Sequence, residues 1–90
     1  METIIAAILA LAESVEAYHL HMARTPGLDG AIAQSHLFFA SQIRKKINLI
    51  NTGSPEDKRR AIVTLCDWLG LDELKKQYEN ELNNDTPRYS

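Results

Sequence analysis

Glu13, Glu16 and His19 are the residues whose types and spacing come nearest to chemistry in this sequence. A Glu-x-x-His step puts a carboxylate and an imidazole on one face of a helix, the half-site from which di-iron helical bundles are built. Such a centre also takes carboxylates from facing helices, and the stretch from Ala31 to Ile50 holds neither Asp nor Glu. A solvated polar face is therefore the expectation for this trio, and neither a metal nor another cofactor is expected. His21 stands two positions from His19, on a different side of a helix, and is no natural partner for it. His36 interrupts an apolar stripe, where a polar ring must find a hydrogen-bond partner or lie at an edge. It reads either as a neutral, satisfied histidine or as part of an interface that responds to pH.

Six bases crowd one short segment: Arg44, Lys45 and Lys46, then Lys58, Arg59 and Arg60. Residues 44–60 carry +4, whereas 1–43 and 61–90 carry −3 each. Because the two triplets flank one turn, they are expected at the same end of the molecule. With the free N–H groups of a helix start, they would suit a phosphate or an acidic partner. Arg44 to Lys46 have a plainer explanation, since bases are mildly favoured toward the negative end of a helix. No aromatic residue lies among these bases to stack on nucleotides, and no Gly-rich phosphate loop is present, so nucleic acid is the alternative partner, not the leading one. A helix-turn-helix around Gly70 would push Asp72, Glu73, Glu79 and Glu81 toward DNA phosphates, which repel them.

Catalytic readings are weaker still. Ser14, Ser35, Ser41, Ser54 and Cys66 have no local base in an activating arrangement, and Cys66 falls on an apolar stripe, where a thiol is ordinarily packing. No catalytic residue is assigned, and the chain is not expected to be an enzyme.

The elements that would position these residues are legible from breakers and periodicity. Between Glu2 and Arg24 there is no Gly or Pro, and Ala, Leu, Glu and Met dominate, which predicts a first helix over about 2–24. Ile4, Ile8, Leu11, Val15, Tyr18 and Met22 recur at steps of four and three, a packing seam. Thr25-Pro26-Gly27 ends it, and a second helix is expected over about 31–50, striped by Ile32, His36, Phe39, Ile43, Ile47 and Ile50. Asn51-Thr52-Gly53 closes that helix. Ser54-Pro55-Glu56-Asp57 then opens a third, over about 55–69, with Ser54 as cap, proline in the first turn and acids behind it. Gly70 separates a shorter fourth helix, about 72–82. The reading is an all-α fold: a small antiparallel bundle made of a long hairpin and two shorter helices, one domain over 1–82 with a flexible tail over 83–90.

Ninety residues with a net charge of −2 form an ordinary soluble surface, and a domain of this size buries only about 60–65% of its unfolded surface. One cysteine permits no internal disulfide and suits a reducing compartment, so a cytoplasmic location is expected. The apolar run Ile4 to Ala12 follows Met1-Glu2-Thr3, which lacks the positive charge of a signal peptide, and nine residues fall short of the roughly 20 that span a bilayer. A buried helix start is expected instead, with no membrane partner. The apolar surface of the first two helices exceeds what one chain can cover, so a homodimer is expected, with Ile4, Ile5, Ile8, Leu11, Val15, Leu37, Phe38, Phe39 and Ile43 at its interface. Function is then expected to be that of a helical interaction module, a regulator, adaptor or inhibitor acting on a protein partner. The alternative is binding of nucleic acid or phosphate through Arg44, Lys45, Lys46, Lys58, Arg59 and Arg60.

Overall fold

The computed structural model describes residues 1–85, in which four helices follow one another: α1 (Glu2–Ala23), α2 (Gly30–Thr52), α3 (Pro55–Leu69) and α4 (Asp72–Asp85). The fold is all-α. Its boundaries sit where local chemistry puts them. Gly27 takes the left-handed conformation, φ 82°, in the turn after Pro26, and the Asp29 carboxylate accepts from the Ala31 N–H at 2.8 Å to start α2. Ser54 caps α3 by accepting from the Asp57 N–H at 3.2 Å. Gly70, φ 69°, ends α3 in the left-handed conformation with its N–H on the Cys66 carbonyl. The fourth helix continues to Asp85, past the expected end near Leu82, and residues 86–90 of the expected tail lie outside the described residues.

Gly53 is required for space rather than for its backbone angles. A Cβ there would lie 2.5 Å from the Leu49 carbonyl oxygen that its own N–H caps. The Gly53→Ala substitution is expected to cost about 1–3 kcal/mol, as overpacking does. A thermal melt of that variant checks this, and an unchanged midpoint would show that the turn can yield.

α1 and α2 run antiparallel, since His19 meets His36 and Glu16 meets Arg44. The core joins Ile8 and Ala12 of α1 with Ile43, Ile47 and Ile50 of α2, Ala61, Ile62, Leu65 and Cys66 of α3, and Tyr78 of α4. α3 starts at the turn after α2 and, with 15 residues, reaches only about 22 Å back along a hairpin about 34 Å long. Its end is marked by Trp68, whose ring lies 6.3 Å from that of Phe39. Every buried residue of the hairpin accordingly falls at Ala12 or before in α1 and at Ala40 or after in α2.

Candidate interaction surface

Residues 13–39 form two helices and a turn without one fully buried side chain, yet they carry much of the chain's apolar surface. Phe38 is 67% exposed, Tyr18 56% and Ile32 49%, and Leu11, two turns before Tyr18, is 42% exposed. Leu11 and Tyr18 are seven residues apart and share a stripe of α1. Leu37, also exposed, is seven residues from Arg44 and so shares the stripe that carries the Glu16 ion pair, a more polar side of the hairpin. Trp68, at the end of α3, adds a further exposed aromatic edge beside Phe39.

The nine residues assigned from sequence to an oligomer interface divide on burial. Ile8 and Ile43 are fully buried within the chain and belong to its core, which corrects their assignment. Leu11, Leu37 and Phe38 are exposed, while Ile4, Ile5, Val15 and Phe39 are half-buried against the core. The location of the surplus also changes. The first half of α1 is apolar all round, but its outer face is Ala6 and Ala10, which expose little area, while its other face packs into the core. Tyr18 and Ile32, read only as packing stripe residues, are among the most exposed apolar side chains, and Trp68 joins them. The relative lengths of the second and third helices carried that information.

His19 is not on a solvated face. It points across the hairpin, its Nδ1 2.8 Å from Nδ1 of His36, with the Phe39 ring edge-on at 4.7 Å and Tyr18 at 5.3 Å. His36 thus finds its partner, and one Nδ1 must carry a proton that the other accepts. Glu16, three residues from His19, is held by the Arg44 guanidinium through two hydrogen bonds, one of 2.8 Å from Nε, and that contact raises the Arg44 pKa further. Burial, and then the charge of His36, lowers the His19 pKa below its ordinary 6.5. The unfolded chain therefore takes up this proton before the folded one does. Stability is fully present above pH 6.5 and falls as pH drops below it toward the folded value. Chemical denaturation at pH 7.5 and 5.5 is expected to show the loss, and His19→Gln is expected to reduce it. Equal pH dependence in both proteins would assign the effect elsewhere.

The six bases are not gathered. Arg44 faces Glu16, Lys46 lies 5.7 Å over the Trp68 ring, and Arg60 pairs with Glu56 at 2.6 Å. Lys45 is exposed on α2, about two turns before Gly53. Lys58 and Arg59 alone line a cavity, beside Pro55 and Tyr78. Cys66 is buried, and desolvation raises its thiol pKa, which keeps it protonated at neutral pH. By length and composition α1 would suffice to cross a bilayer, with a mean hydropathy of 1.4 over 18 residues. Compared with known proteins, the chain matches no family model, no curated protein and no solved structure.

Proposed function

We propose that this protein is a non-enzymatic helical interaction module that works as a homodimer, the second copy packing on the exposed hairpin end, and that serves as a regulator, adaptor or inhibitor of a protein partner. The single observation behind this reading is the absence of any buried residue between 13 and 39 in a segment that holds Tyr18, Ile32 and Phe38. With roughly 100 Å² exposed on each of these three side chains, the segment offers on the order of 300 Å². That is more than a third of the roughly 800 Å² a stable interface takes from each partner. Two hairpins meeting there would form a four-helix arrangement, the usual remedy for an unsupported helix pair. A lipid bilayer is a poorer occupant, because Glu13, Glu16 and Arg44 sit on this half of the hairpin and such charges cost about 2.5–3.5 kcal/mol each in a membrane interior.

Hydrogen exchange at low and high protein concentration tests the reading. Amides of residues 13–39 are expected to gain protection with concentration while those of α3 do not. Equal exchange at both concentrations would overturn the proposal, and protection that arises only on added vesicles would replace the second copy with a membrane.

A further inference from the structure

We propose that the cavity at the other end of the hairpin binds a small amphipathic anion: a carboxylate or phosphate monoester on a short apolar chain. The cavity has a volume of about 390 Å³ and lies where α1 begins and α2 turns into α3. That is within the usual range of small-molecule sites, roughly 300–1,000 Å³. Its apolar wall comes from Ile5, Pro55 and Leu82, and its polar groups are Lys58, Arg59 and Tyr78. Neither Lys58 nor Arg59 has a carboxylate partner among the described residues, unlike Arg60 next to them, which Glu56 neutralises. Two uncompensated cations at one opening favour an anionic group.

Tyr78 is the independent sign of a ligand. It is 97% buried (3% exposed), and its hydroxyl makes no hydrogen bond among the described residues. No buried side-chain polar atom among those residues is sealed without a partner. The Tyr78 oxygen is therefore open to space, and the space its side chain lines is this cavity. Burial raises the phenol pKa above its ordinary 10, against the opposing influence of Arg59, so at neutral pH it is an O–H donor. A donor open to the cavity at the tip of an otherwise buried ring fits a carboxylate or phosphoryl oxygen.

The apolar body has a path. Ile5 and Lys58 are shared with an adjoining groove of about 280 Å³ that Ala6, Leu9 and Ile50 line. An anion held at Lys58 and Arg59 can thus lay an alkyl chain along α1. Of the nearby acids, Glu81 faces the N-terminal amine at 3.8 Å, Glu2 borders the groove, and Glu79 lines a separate depression with Arg59 and Lys75; none of the three lines the cavity. A polyanion such as nucleic acid would find, among the described residues, only these two cations and the Met1 amine that Glu81 faces, with no exposed ring to stack on.

The site is remote from residues 13–39 and stands apart from the self-association reading. Its test is a titration of the full chain, followed by amide NMR shifts, with octanoate and octyl phosphate below their micelle concentrations and with inorganic phosphate and 1-octanol as controls. The two amphiphiles are expected to saturate, with shifts confined to residues 5–9, 50–59 and 78–82, and each control to bind at least about tenfold more weakly. The double variant Lys58→Glu, Arg59→Glu should weaken octanoate by about tenfold or more with unchanged helicity, and Tyr78→Phe, which keeps the ring, by about threefold or more. Inorganic phosphate binding as tightly as octyl phosphate, 1-octanol binding as tightly as octanoate, shifts confined to 13–39, or no saturation would each overturn the proposal. Should Tyr78→Phe bind octanoate as tightly as the natural chain, the assigned role of the hydroxyl falls with it.

Discussion

Replacing Tyr18 and Phe38 together by glutamate should leave a folded, helical monomer. Both side chains are more than half exposed in the single chain, so the substitution removes no intramolecular core and adds charge where water already reaches. In a dimer that buries these rings the same change is severe. A desolvated aromatic anchor contributes about 2 kcal/mol or more, about 30-fold in Kd, and each new carboxylate would add the cost of burial without a partner. Sedimentation should therefore report loss of the dimer, and circular dichroism at low concentration should overlay that of the natural sequence. Variant and natural chain with the same mass would mean that these rings are not the contact.

Ile43→Ala should have the opposite signature. Ile43 is fully buried between α1, α2 and α3, in the same cluster as Ile8 and Ile47, and truncating such a residue costs about 2–5 kcal/mol in lost transfer energy and cavity. A domain of this size has on the order of 5–10 kcal/mol in total, so urea unfolding should shift strongly and the variant should approach the edge of folding. The loss should be the same at every protein concentration, because the contacts removed are within one chain. If Ile43 instead served an interface, as its apolar stripe first suggested, the destabilisation would grow with concentration.

That contrast shows what the sequence carried and what it did not. Thr25-Pro26-Gly27, Asn51-Thr52-Gly53 with Ser54-Pro55, and Gly70 act through the backbone of a few neighbouring residues, so three turns and four helices could be read directly, to within about two residues except at the end of α4. Burial is different in kind. The four-and-three spacing of Ile8, Leu11, Val15 and Tyr18 tells which side of α1 is apolar but not how far along it a third helix reaches. The answer lay in length: a 15-residue helix folding back from Gly53 cannot cover the far third of a 23-residue one. The result is that Ile8 is core while Tyr18, ten residues along and about 80° around the helix, is bare. His19 was misplaced for a related reason. It lies 11 residues from Ile8, three full turns, and so returns to the inward face where His36 meets it, although its neighbour Glu16 drew it toward the polar side.

The bases show a second limit. Six charges close in sequence looked like one patch, but residues two turns up α2 and residues at the start of α3 are separated by helix rise, and three of the cations, Arg44, Lys46 and Arg60, found local partners in Glu16, Trp68 and Glu56. Only tertiary placement singled out Lys58 and Arg59, and only the fourth helix, through Tyr78 and Leu82, made a cavity of their surroundings.

On the proposed reading, a second copy of the chain covers the exposed half of the α1–α2 hairpin. Sedimentation equilibrium of the unmodified protein across micromolar concentrations at pH 7.5 addresses it most directly. The expected result is a folded species of twice the chain's 10.1 kDa, dissociating on dilution. A single, well-folded 10.1 kDa species at the highest concentration reached would contradict it.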